Sequence, residues 1–91
     1  MIAAFSLGRI VATPGALRVL ERAKQSAAVF LARHAAGDWG ELDREDMREN
    51  EYSLTHRFRL MSSYTTAAGE KLWIITEADR SVTTLLLPDE Y

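Results

Sequence analysis

Two periodicities divide this chain, and the change between them falls near His56. Before it, apolar residues recur at spacings of three and four; after it, they alternate. Ala16, Leu17, Val19, Leu20 and Ala23 make one stripe while Arg18, Glu21 and Arg22 point away, which predicts a helix over Pro14 to Lys24. Thr13 suits its N-cap, because the hydroxyl can accept from an orphan amide and Pro14 at the first helical position has no amide to satisfy. Ser26 has the same role before a second helix over Ala27 to Ala36, carrying Phe30, Leu31 and His34 and stopped by Gly37. A third helix, Arg44 to Thr55, is capped by Asp43 with Asp46 at N3, and Leu42 is placed to staple against Met47. Its face of Met47, Asn50, Glu51 and Leu54 is only thinly apolar, which places it at the edge of the domain.

Beyond His56 the period is two. Phe58, Leu60, Ser62 and Tyr64 oppose Arg57, Arg59, Met61 and Ser63, predicting a strand over Phe58 to Tyr64. Strands over Leu72 to Glu77 and Val82 to Leu87 follow, joined by a hairpin link at Ala78 to Ser81 and ended by Pro88. Ser6 to Ala12 reads as a short first strand or extended arm. The expectation is a single α+β domain over residues 1–91: an antiparallel meander of three or four strands with two or three helices packed on one face. Its core is expected to hold Leu17, Leu20, Phe30, Leu31, Phe58, Leu60, Leu72, Ile74 and Leu86.

The composition, 47% hydrophobic and 26% charged over 91 residues, is that of a globular domain with one core. The chain has no cysteine, which excludes a disulfide framework and a thiolate metal site, and a cytoplasmic setting is the default expectation. The apolar start Met1 to Phe5 is interrupted by Ser6, Gly8 and Arg9, so neither a secretory segment nor a membrane span is expected. The net charge of −2 conceals an uneven distribution: +4 up to Gly37, −5 from Asp38 to Glu51, and −1 over the remainder. A strongly cationic nucleic-acid surface is therefore disfavoured.

Candidate chemistry is sparse. His34 and His56 are the side chains that titrate nearest neutrality, but His34 falls in the last turn of a helix and His56 at a helix-to-strand junction, where structural roles suffice. No metal is expected, because Gly37 breaks the face that His34 and Asp38 would share and no third ligand is near. Ser62, Ser63, Thr83 and Thr84 lie in strands without a nucleophile elbow, and no glycine-rich cradle holds a phosphate or other cofactor. Glu77, Asp79 and Arg80 cluster at the hairpin, where a turn-stabilising Asp and a surface Arg explain them. No cluster combines a nucleophile, a base and an oxyanion or metal element, which favours a non-catalytic role. Trp39 in the acidic Gly37-Asp38-Trp39-Gly40 loop is either a plug folded over the sheet or a partner-binding anchor. Asp43, Glu45, Asp46 and Glu49 are either a solvated helix face or a docking strip for a basic partner.

Gly37-Asp38-Trp39-Gly40-Glu41-Leu42, Glu45-Asp46, Asn50, the run Trp73 to Ser81 and the closing Leu87-Pro88-Asp89-Glu90-Tyr91 resemble a family of small bacterial proteins borne on plasmids and other mobile elements. The resemblance implies a bacterial, intracellular, mobile-element context and brings no catalytic residues. The expected function is a protein-binding accessory of such an element, an inhibitor of a host defence complex, with Trp39, Asp43, Glu45, Asp46 and Glu49 meeting the partner. The exposed sheet around Arg57, Arg59, Trp73 and Ile75, or a homodimer, is the alternative surface. Two other classes stay open. One is a small RNA-cleaving toxin using His34, His56, Arg57, Arg59 and Glu77; the other is a nucleic-acid-binding regulator using Arg18, Arg22, Lys24 and Arg33.

Overall fold

A computed structural model describes residues 3–91. Three helices, α1 (Pro14–Ala23), α2 (Ala27–Ala35) and α3 (Arg44–His56), and four strands, β1 (Arg9–Ala12), β2 (Leu60–Thr65), β3 (Lys71–Thr76) and β4 (Val82–Leu86), form an α+β fold. The caps act where the sequence puts them. Thr13 accepts from the Ala16 amide at 3.0 Å, Ser26 from Ala28 at 3.1 Å and Asp43 from Asp46 at 2.8 Å.

The sheet order is β1-β4-β3-β2. β2, β3 and β4 make the expected antiparallel meander, but β1 lies parallel to β4, so the sheet is mixed. Consecutive hairpins force the antiparallel pairs, whereas β1 reaches β4 only after all three helices, a connection long enough to permit either direction.

Alternation sorts the sheet into two faces. Leu60, Ser62, Tyr64, Leu72, Ile74, Thr76, Thr83 and Leu85 point to the inner one, beneath α1 and α2, where Ala16, Leu20, Phe30 and Leu31 complete the main core. A smaller cluster of Trp39, Leu42 and Leu60, with Phe5, Met47 and Leu54 against it, anchors α3. Three expected core residues are elsewhere. Leu86 is buried, but it lies opposite Trp73 on the outer face, because the phase of β4 turns Leu85 inward beside Ile74. Leu17 is 55% exposed, because Ala16, Val19, Leu20 and Ala23 already span the buried arc and Leu17 lies about 60° past Leu20 around the helix. Phe58 is also 55% exposed: α3 runs on to His56, Arg57 caps it in a left-handed conformation, and β2 begins only at Leu60.

The two edges of the sheet differ. Along β2, the Asn50 side chain donates to the Met61 carbonyl at 2.7 Å and accepts from the Met61 amide at 3.1 Å. Ser63 exchanges main-chain bonds with Trp39 and Glu41. That approach requires glycine at position 40, where φ is +73° and a Cβ would fall 2.1 Å from the Ser63 carbonyl oxygen. Along β1, among the described residues, no strand occupies the outer side.

Candidate functional site

Trp39 is buried, at 4% exposure. Its indole donates to Glu51 at 2.9 Å, stacks on Phe5 and meets His34 edge-on. It is the plug of the two roles open to it, and as it stands it does not reach the surface as an anchor. Tyr64 donates to the Asp38 carbonyl at 2.7 Å, and burial pushes its hydroxyl up to about 12. The Asp38 carboxyl is held below its ordinary range, first by its bond to Arg33.

The four expected carboxylates share α3 but do different things. Asp43 is spent on the N-cap. Asp46 and Glu49 rim a hollow of about 280 Å³ whose walls include Met61, Ile75, Arg59 and Tyr91. Glu45 and Glu49, one turn apart, rim a second and more open hollow of about 430 Å³ with Arg48, Tyr52 and Phe58. Glu49 thus stands on the ridge between the two. Tyr52 and Phe58 are each 55% exposed and their rings are nearly parallel, with centroids 6.0 Å apart, while His56 stacks on Tyr52 at 3.8 Å. Sequence reasoning missed Tyr52 and Phe58. The signal was available for Tyr52, three residues after Glu49 and four before His56, and absent for Phe58, whose strand-like phase pointed it inward.

The alternative surface on the outer sheet face is largely covered. Ile75 is 4% exposed, and Trp73 is half-buried against Tyr91. Arg59 remains exposed and is bonded to Glu77 and Tyr91, while Arg57 is exposed beside the α3 cap.

His34 is fully buried within a directional chain of hydrogen bonds. Thr83 must donate to the Leu7 carbonyl, at 2.6 Å, so it accepts from Thr76 at 2.7 Å. Thr76 then accepts from Nε2 of His34 at 2.9 Å, which leaves Nδ1 to accept from Ser62 at 2.5 Å. The chain sets the Nε2–H tautomer, and burial lowers the imidazole pKa to about 4. Ser62 and His34 form a hydroxyl–imidazole contact, but both are 0% exposed and neither lines any of the cavities described here.

Arg80, expected at the surface, is buried at 9% exposure. It donates to the carbonyls of Ser53, Phe58, Glu77 and Ala78, tying the end of α3 to the β3–β4 turn. Burial, then Arg57, lowers its pKa. Asp79 bonds Ser81, so the hairpin cluster is used within the turn. Of the basic residues on the helical half, Arg22 pairs with Glu70 and Arg33 with Asp38, leaving Arg18 and Lys24 exposed. Among the described residues no group of three His, Asp or Glu side chains could hold a metal ion, and no helix is long and apolar enough to cross a membrane. Comparison with known proteins finds no family model, no curated protein and no solved structure that matches the chain.

Proposed function

We propose that this protein is a binding module for a basic protein partner, with the exposed side of α3 as its working surface. The observation that carries the reading is the open hollow in which Glu45 and Glu49 stand beside the exposed rings of Tyr52 and Phe58. A guanidinium is attracted to an aromatic face through the ring quadrupole and to a carboxylate through charge-assisted hydrogen bonds, and this hollow offers both. Arg48 on the rim reduces the net charge, so the surface favours one well-placed cation over a polybasic run. The anchor is therefore Tyr52 with Phe58, and Trp39 supports α3 from beneath. The resemblance to mobile-element proteins supports an accessory role in which such a surface occupies a basic site on a host defence complex.

The test is titration with a fluorescent glycine–serine peptide that carries one central arginine, read by anisotropy at low and at physiological salt. Wild type should bind, and Tyr52→Ala and the double variant Glu45→Lys, Glu49→Lys should each weaken binding by about tenfold, a change of about 1.4 kcal/mol. Equal affinity across folded wild type and both variants overturns the reading, as does the absence of binding by wild type.

A further inference from the structure

The sheet blocks one of its edges and leaves the other open. At β2, Asn50 and the residues 39–41 satisfy the main chain of Met61 and Ser63 from outside. At β1, the Arg9 amide donates to Ser81 and the Thr13 amide to Leu85. In a parallel ladder the inward-facing residues alternate, so Arg9, Val11 and Thr13 face β4, and the main-chain groups of Ile10 and Ala12 face away from it. Among the described residues no hydrogen bond reaches those groups from the open side. Ile10 is 48% and Val11 37% exposed, so the edge presents two β-branched apolar side chains and free main-chain donors and acceptors, the combination that templates strand pairing.

We propose that β1 pairs antiparallel with β1 of a second copy of this chain, joining two four-stranded sheets into one. Side-chain alternation fixes the register. A two-fold axis perpendicular to the sheet keeps each face on its own side, so Ile10 must oppose a residue of its own parity. Placing Ile10 opposite Ala12 of the second copy lets both exchange their outward main-chain bonds, and it brings the two Val11 side chains together at the axis on the outer face.

The charges agree with that register. Arg9 then lies opposite Thr13 of the second copy, on the same outer face. The Thr13 hydroxyl donates to Glu90 at 2.7 Å, so each Arg9 approaches the other copy's Glu90 carboxylate. Arg9 forms no ion pair within its own chain among the described residues. The antiparallel arrangement also keeps the two Arg9 side chains at opposite ends of the interface, so the charge that guards an edge strand against pairing finds a partner in this geometry.

Sedimentation velocity across micromolar to near-millimolar concentrations tests the proposal, with circular dichroism to confirm folding. Wild type should approach twice the 10.2 kDa chain mass. Val11→Lys, which sets two cations at the axis, and Arg9→Glu, which faces Glu90 with a like charge, should each shift the protein to monomer at concentrations where wild type is dimeric. Adding Glu90→Arg to Arg9→Glu should restore association, which a change in folding alone would not do. A wild type that stays monomeric throughout overturns the proposal. So does a dimer that persists in both folded single variants.

Discussion

His34 shows how one side chain can be decided by its partners. The residue sits in the last turn of α2, where a cation would favour the helix dipole, yet it is neutral because it is buried among three hydroxyls and bonded to two of them. An imidazolium would place a second N–H against Ser62 and would be buried without an anion. The folded pKa is about 4 against 6.5 for an unperturbed imidazole, so between those values the unfolded chain binds the extra proton. Stability should therefore be complete above pH 6.5 and fall as the pH drops toward 4, by up to about 3 kcal/mol. Urea unfolding of wild type and His34→Gln between those limits checks this. The wild-type slope should be the steeper, and equal slopes would remove His34 as its cause.

Among the elements, β3 and β4 are the strands with a neighbour on each side, and the phase of β3 determines which of its residues the core receives. Leu72, Ile74 and Thr76 are all 0% exposed on the inner face, and Ile74 lies between Ser62 and Leu85. Ile74→Ala should cost about 2 to 5 kcal/mol in chemical denaturation, the lost transfer energy plus that of an unrelaxed cavity. A loss near zero would mean that the strand phase is wrong. By contrast α3 has little apolar surface of its own and is held by position. Its Asn50 substitutes for a neighbouring strand at Met61, its Ser53 carbonyl accepts from Arg80, and Met47 and Leu54 rest on the Trp39 cluster.

At the scale of the molecule, Arg80 connects parts that are distant in the chain. Its guanidinium joins the carbonyls of α3, of the α3–β2 link and of the β3–β4 turn, without a carboxylate partner. Arg80→Ala removes these hydrogen bonds from a charged donor, and although Ser53 and Glu77 keep main-chain donors, a stability loss of about 1–3 kcal/mol is expected. The loss should be local first. Hydrogen exchange in the last turn of α3 should rise by more than in α1, and a uniform rise across both helices would refute the stapling role.

Much of this architecture was local and therefore legible in the sequence. Caps at Thr13, Ser26 and Asp43 act on amides within three residues, and the alternation in β2 and β3 needs only the pleat to turn Leu60, Leu72 and Ile74 to one face, whereas in the uniformly apolar end of β4 the pattern favoured Leu86 and the register chose Leu85. The acidic side of α3 was readable for the same reason, since i and i+4 carboxylates share a helix face. What the sequence left undecided depended on contacts between distant segments. Leu17 and Phe58 fit an apolar pattern that the packing did not use, and Arg80 reads as a surface residue until the carbonyls of Ser53 and Phe58 come to it. The direction of β1 depended on where the chain returned after three helices, and no local pattern encodes that. Trp39 became a plug because Phe5, His34 and Glu51 converge on it, three partners that only the folded chain assembles.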